Sequence, residues 1–172
     1  MMKNMKLLYG VLVIVILAIV GCGIFVLIQP TIPSNFNLVF KYGVGAMNEL
    51  NTFKGAYTKD MVVDPSITVN LPLSKEELHR IYQKMIEIDF FNYPDKFSIS
   101  VPPEEVGIVT PYQSYYFWVE YDSKIKELSW GDNITNEDEK AEKLRELIKR
   151  IIDIIESKEE YKKLPEPRGG YL

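Results

Sequence analysis

An uninterrupted apolar run over residues 7–28 constrains this chain more than any other feature. The run reads LLYGVLVIVILAIVGCGIFVLI and contains no charged residue. A helix that rises about 1.5 Å per residue lets it cross a hydrocarbon core about 30 Å thick, and it lacks the polar face of a globular core helix. Because Lys3 and Lys6 precede the run, the positive-inside rule places the N-terminus in the cytoplasm. The sequence therefore predicts a transmembrane signal anchor in residues 1–29, with the remaining chain on the extracytoplasmic side of the cell membrane.

Cys22 leaves two modes of attachment open. The residues Ile19-Val20-Gly21-Cys22 resemble a bacterial lipobox, in which a signal peptidase cuts before the cysteine and the thiol carries a lipid. Mature lipoproteins usually continue with polar residues, whereas residues 23–28 stay apolar and complete a spanning length. An uncleaved anchor and a lipid-anchored chain both put the domain outside. Because Cys22 is the single cysteine, the outer domain has no internal disulfide and depends on its core.

The charge balance narrows the class of partner. The chain has 20 basic and 24 acidic residues, and removing Lys3 and Lys6 leaves 18 against 24, a net charge of −6 for the part beyond the anchor. An acidic domain without a basic cluster lacks the positive charge that releases counterions from the phosphate backbone of a nucleic acid. Anionic lipid headgroups also repel such a domain. We therefore exclude nucleic acid as a partner and expect contact with the membrane only through residues 7–28.

Residues 35–164 are predicted to form one α+β domain, after a short tether at residues 30–34 and before a flexible tail at residues 165–172. The first half of this domain reads as two strands followed by a helix, and the second half repeats that order after a proline-rich loop. The predicted elements are strands at 36–42 and 56–63, a short extended piece at 67–71, a helix that begins at a capping box of Ser74 and Glu77, a loop at 95–113, strands at 114–121 and 124–131 joined by Asp122-Ser123, and a helix at 136–157. This order predicts a ββαββα two-layer domain, in which a four-stranded antiparallel sheet carries both helices on one face.

Four stretches carry a resemblance to known proteins. They are FKYGVGAMNELNTFKGAYTKDMV (40–62), IDFFNYP (88–94), YYFWVEYDSKIKELSWGD (115–132) and LPEPRGGYL (164–172). These stretches resemble a family of small uncharacterised secreted or lipid-anchored prokaryotic proteins. The resemblance covers most of the outer domain and implies the same architecture and anchoring. It implies no activity and no site, because the family has no established activity.

Patterns for catalysis and metal binding are sparse. His79 is the only histidine, and it has no evident nucleophile because the sequence lacks a Gly-x-Ser-x-Gly elbow and a cysteine outside the anchor. The acidic residues between Asp132 and Glu139 suit the capping of a helix better than calcium. We expect no catalytic residue, no metal and no cofactor. The alternative is an extracytoplasmic hydrolase or inhibitor that uses a carboxylate pair, either Glu104-Glu105 on the long loop or Asp60-Asp64.

One aromatic strand offers the clearest binding surface. Tyr116 and Trp118 point to the opposite face of this strand from Tyr115 and Phe117. If the helices cover one face only, Tyr116 and Trp118 remain partly exposed on the other, and large rings provide contact area at low entropic cost. Alternatively, the loop at residues 95–113 shields both rings, and they are structural. The leading hypothesis is a non-catalytic interaction or accessory module that binds a protein or a glycan through Tyr116 and Trp118.

Overall fold

A computed structural model describes residues 31–99, 107–135 and 138–171 of this chain. The predicted anchor at residues 1–29, which contains Cys22, lies outside the described residues. Within the described part of the chain, no helix is long and apolar enough to span a membrane.

Seven strands within the described residues form one mixed sheet, so the prediction of a four-stranded antiparallel sheet is wrong. The strands are β1 (Asn37–Tyr42), β2 (Asn48–Asn51), β3 (Ala56–Met61), β4 (Asp64–Asn70), β5 (Lys96–Phe97), β6 (Gly107–Tyr121) and β7 (Lys124–Thr135). Their order across the sheet is β4-β3-β2-β1-β6-β7-β5. All neighbouring pairs are antiparallel except β5 and β7, which run parallel.

The additional strands have little sequence signature of their own. Strand β2 reads NELN, which contains neither β-branched residues nor a regular alternation. It forms because its backbone pairs with β1 on one side and β3 on the other. Strand β4 begins with an Asp-Pro step at the sheet edge, where proline removes no required hydrogen bond. Strand β5 has two residues, and it makes the sheet mixed by pairing in parallel with β7.

The predicted hairpin between β6 and β7 is confirmed. Asp122 and Ser123 form its two-residue turn with φ angles of 45° and 60°. Left-handed conformations at both turn positions match the right-handed twist of the flanking strands. The hairpin therefore places the aromatic residues of β6 beside β1 and β7 at the centre of the sheet.

Strand β6 also takes up part of the predicted loop. It begins at Gly107, although the prolines at residues 95–113 predicted irregular structure there. Pro111 is accommodated because the register between β6 and β7 shifts between Ile108 and Gln113, and an irregularity of this kind is where a strand tolerates a residue without an N–H.

The helices follow the sequence more closely. They are α1 (Lys75–Glu87), α2 (Glu139–Ser157) and the short α3 (Glu159–Lys162), with a 3-10 turn at Phe90–Asn92. The predicted capping box is confirmed, since the Glu77 amide donates to Ser74 Oγ at 3.2 Å and the Ser74 amide donates to Glu77 Oε2 at 2.7 Å. Helix α2 begins three residues later than predicted, because Asp138 is its N-cap and accepts from the Ala141 amide at 2.8 Å.

One face of the sheet carries the core. Leu38 and Phe40 of β1 pair in register with Val119 and Phe117 of β6, and all four side chains are fully buried. The buried residues of the helices join the same cluster, including Ile81 and Met85 of α1 and Leu144, Ile148 and Ile151 of α2. Both long helices therefore cover the face that carries Phe117. The alternate residues of each strand point to the other face, called the open face below.

The C-terminal residues 165–171, called the strap below, lie along the edge of the sheet. The sequence predicts a flexible tail here, whereas the structure shows several attachments. Arg168 forms a parallel bridge with Val62, and its guanidinium donates to both oxygens of Asp64, with Nε to Oδ2 at 2.7 Å. Lys59 Nζ donates to the carbonyl oxygen of Pro165 at 3.0 Å. The strap thereby closes one side of a cleft at the end of the sheet.

Candidate functional site

The open face carries an apolar depression at its centre. Val39 of β1 lies directly opposite Trp118 of β6, and the ring of Phe53 packs edge-on against Trp118 with centroids 5.3 Å apart. Asn51 and Lys54 complete a shallow depression of about 330 Å³, whose walls are almost entirely carbon. We call Val39, Phe53 and Trp118 the aromatic patch.

A rigid turn holds Phe53 in this position. The turn between β2 and β3 is fixed by two side chains: Thr52 Oγ1 accepts from the Leu38 amide at 2.8 Å, and Asn51 Oδ1 accepts from the Lys54 amide at 3.2 Å. Gly55 ends the turn with a φ of 59°, a backbone conformation that residues other than glycine rarely adopt. Phe53 remains 44% exposed although its ring is fixed against Trp118. The patch is therefore ordered and accessible at once.

Tyr116 lies on the open face but outside the aromatic patch. Its hydroxyl donates to Glu127 Oε2 at 3.0 Å, and partial burial together with this carboxylate raises the pKa of Tyr116. It lines a separate depression with Lys96 and Ile125. The two predicted binding residues thus share a face, whereas Phe53 and Val39, which the sequence did not single out, are the neighbours of Trp118.

The described part of the predicted loop leaves Trp118 uncovered. None of residues 95–99 or 107–113 lines the aromatic patch. Asp95 and Lys96 border the depression at Tyr116 instead. Residues 100–106 lie outside the described part of the chain.

Polar groups surround the aromatic patch. Lys41 and Glu49 form an ion pair at 3.2 Å across β1 and β2, and Asn51 Nδ2 donates to Glu49 Oε1 at 3.3 Å. Asn35 donates to Glu120 Oε1 at 3.3 Å near the other end of β1. An apolar centre within a polar rim is the usual layout of a protein interface.

The carboxylates of the alternative hydrolase hypothesis have structural partners. Asp64 pairs with Arg168, whose hydrogen bonds lower the pKa of the Asp64 carboxyl group. Asp60 accepts from the Val62 amide at 3.1 Å and from the Tyr171 hydroxyl. A general acid needs a raised pKa, whereas hydrogen bonds from basic side chains also lower the pKa values of Glu139, Glu146 and Glu159. Glu104 and Glu105 lie outside the described residues.

The acidic residues before α2 are also occupied. Asp132 receives two hydrogen bonds from Arg145, at 2.9 and 2.7 Å, and this pairing raises the pKa of the guanidinium. Asp138 caps the helix, which agrees with the predicted capping role of this acidic segment although the helix begins later than predicted. Among the described residues, no group of three or more acidic, histidine or cysteine side chains is placed to hold a metal. His79 lies half-buried on α1, and its imidazole makes no hydrogen bond or ion pair with another described residue.

A second concave site, which the sequence did not reveal, lies under the strap. Tyr42 of β1 and Tyr57 of β3 share a hydrogen bond between their hydroxyls at 2.7 Å, and Tyr57 donates to Asn48 Oδ1 at 3.3 Å. Burial raises the pKa of Tyr42 to about 12 and that of Tyr57 further. With Glu156 at the end of α2 and Tyr161 of α3, these residues line a cleft of about 290 Å³, called the tyrosine cleft below.

The tyrosine cleft has no continuous sequence signal. Its residues come from β1, β2, β3, β6, the two C-terminal helices and the strap, and the first and last of them, Tyr42 and Tyr171, are 129 residues apart. Alternation places Tyr42 on the same face of β1 as Phe40, and the register places Tyr57 level with Phe40 through Leu50.

Comparison with known proteins does not assign either site. No family model, no curated protein and no solved structure matches this chain. The resemblance to small uncharacterised secreted or lipid-anchored proteins therefore stays a prediction. Function has to be inferred from the chemistry of the aromatic patch and the tyrosine cleft.

Proposed function

We propose that this domain is a non-catalytic binding module that recognises another protein through the aromatic patch. The observation that carries the proposal is the fixed pair of rings formed by Trp118 and Phe53 on the open face, which no described residue of the 95–113 segment covers. Tryptophan at the centre of an interface contributes disproportionately to affinity, because its large area is desolvated with few rotatable bonds. Both long helices lie on the other face, so they leave the patch free to meet a partner.

The composition of the depression favours a protein over a glycan. Its walls offer carbon atoms almost exclusively, so they complement an apolar side chain. A sugar would require several hydrogen-bonding groups beside the ring to satisfy its hydroxyls. Of the two polar residues that line the depression, Asn51 and Lys54, Asn51 already donates to Glu49. A partner that inserts an aliphatic or aromatic side chain against Trp118 suits this surface best.

The proposed setting is the extracytoplasmic side of the membrane, as an accessory module. This part of the proposal rests on the apolar sequence of residues 7–28 and the lysines before it. Tethering confines the domain to a small volume near the membrane, so a partner in the same membrane meets it at a raised effective concentration. The apparent affinity for that partner rises accordingly. Modest intrinsic affinity is then sufficient for function.

Affinity capture with matched variants tests the proposal. The full-length chain would be captured with its partner from detergent-solubilised membranes of its host, alongside Trp118→Ala and a control, Ile108→Ala. Ile108 is a more exposed apolar residue, away from the patch, on the end of β6. We expect Trp118→Ala to lower partner affinity by about 2 kcal/mol, roughly thirtyfold, and Ile108→Ala to leave it unchanged.

Two results would contradict the proposal. Equal recovery of the same partner with Trp118→Ala would show that the patch does not contribute. Equal loss with both variants would show that recovery reflects general surface hydrophobicity. Circular dichroism of each variant before capture establishes that the fold is intact.

A further inference from the structure

The tyrosine cleft is a concave site that the proposed protein-binding role does not use. It lies at the end of the sheet, away from the aromatic patch, between β1, β3, the end of α2 and the strap. Its volume of about 290 Å³ is near the lower limit of small-molecule pockets, which begin at about 300 Å³. The cleft therefore suits only a ligand smaller than a typical drug molecule, such as a small organic ion.

Aromatic rings form much of its wall. The ring centroids of Tyr42 and Tyr57 are 6.5 Å apart, and those of Tyr57 and Tyr161 are 5.6 Å apart. The side-chain ammonium of Lys59 already lies over the Tyr161 ring, 4.9 Å from its centroid. Because the electron-rich face of an aromatic ring attracts cations, this internal contact shows that the cleft accommodates an ammonium group.

The negative charge of the cleft exceeds the positive charge. Lys59 is 4% exposed and directs its ammonium at the Pro165 carbonyl, with Glu166 at 3.8 Å. Glu156 lies close enough to Tyr42, Tyr57 and Tyr161 to raise the pKa of each phenol in addition to the effect of burial. No described lysine or arginine forms an ion pair with Glu156. Glu156 thus faces three neutral phenols, and Lys59 is the one cation among the described residues that line the cleft with it.

The end of α2 adds to this negative potential. Glu156 lies in the last turn, where the carbonyl groups carry the negative end of the helix dipole. That turn contains no basic residue. Natural helices often place a cation at this position, and here the helix itself supplies none.

We propose that the tyrosine cleft binds a small organic ammonium ion, held between the Glu156 carboxylate and the aromatic wall of the cleft. The acidic lining residues Asp60, Glu156 and Glu166 outnumber Lys59, so a cationic ligand improves the charge balance of the cleft, and its alkyl groups contact the aromatic wall. An anionic ligand fits poorly, because it would have to displace Glu166 from Lys59 and approach Glu156. A hard metal cation also fits poorly, because it prefers to be surrounded by oxygen ligands, whereas much of the wall of the cleft consists of aromatic rings.

A pair of isosteric probes tests the charge requirement. The full-length protein in detergent micelles would be titrated with choline and with 3,3-dimethylbutan-1-ol, its neutral isostere, by isothermal calorimetry at constant ionic strength. We expect saturable binding of choline and at least tenfold weaker binding of the neutral alcohol. The absence of saturable choline binding, or equal binding of both probes, overturns the proposal.

A matched pair of variants tests the location. Glu156→Gln removes an exposed carboxylate that lines the cleft, and Glu160→Gln removes an exposed carboxylate that does not line it. Glu156→Gln should fold normally, since it removes a negative charge from the negative end of a helix. We expect it to weaken choline binding at least tenfold while Glu160→Gln retains the original affinity. Unchanged binding with Glu156→Gln, or equal weakening with both variants, overturns the assignment to the cleft.

Discussion

Phe117 and Trp118 are neighbours in β6 that face opposite sides of the sheet, so alanine substitutions at the two positions should have very different costs. Phe117 is fully buried, and its ring centroid lies 4.7 Å from that of Phe40 and 5.1 Å from that of Phe90. Loss of a buried phenylalanine costs about 3–5 kcal/mol. The two aromatic contacts place Phe117→Ala at the upper end of that range.

Trp118 is half-buried, and Phe53 is its one ring partner among the described residues. Trp118→Ala removes a side chain that is only partly buried and one aromatic pair, so we expect it to lower the free energy of unfolding by about 1–2 kcal/mol. Urea denaturation followed by circular dichroism measures both free energies of unfolding. A cost for Trp118→Ala equal to that for Phe117→Ala would refute the assignment of Trp118 to an open face.

Three further predictions concern local features of the fold. Ser74→Ala removes the acceptor of the α1 capping box and should lower the free energy of unfolding by about 1 kcal/mol, measurable by thermal denaturation; an unchanged stability would contradict the capping role. Ser123→Gly should raise the free energy of unfolding by up to about 1 kcal/mol, because glycine adopts the φ of 60° at this turn without strain. Urea denaturation measures this change, and a lower free energy of unfolding would argue against the turn conformation. Burial raises the pKa of Tyr42 to about 12, above the unfolded value near 10. The stabilisation from the buried neutral phenol is therefore complete below about pH 10 and is lost as the pH rises towards 12. Tyr42→Phe should therefore lose stability less steeply than the unaltered protein between those pH values, and equal slopes would contradict the burial.

Local sequence signals predicted the elements whose formation depends on neighbouring residues. The capping box at Ser74 and the two-residue turn at Asp122-Ser123 were readable because their hydrogen bonds and turn length are set within a few residues. The layering of two helices on one sheet face followed from the apolar stripes of α1 and α2. These features required no knowledge of distant partners.

The features that the sequence did not predict depend on contacts between segments that are far apart in the chain. Strand β2 forms because β1 and β3 flank it, and Pro111 enters β6 because the ladder is irregular there. Trp118 was predicted to lie on the open face, but its contact with Phe53 depends on a turn some sixty residues earlier. The tyrosine cleft depends on the strap, whose attachment through Arg168 spans more than a hundred residues. Alternation along a strand predicts which face a residue occupies, whereas its neighbour on that face depends on the register.

Site-specific photocrosslinking tests the protein-binding claim most directly. A photoreactive amino acid at Lys54, beside Phe53 and Trp118, would be activated in intact cells, with a matched probe at Lys149, an exposed position on α2. We predict a discrete crosslinked product from position 54 that disappears when Trp118→Ala is added, and none of the same mass from position 149. No product from position 54, or a product that persists with Trp118→Ala, would contradict a binding role for the aromatic patch.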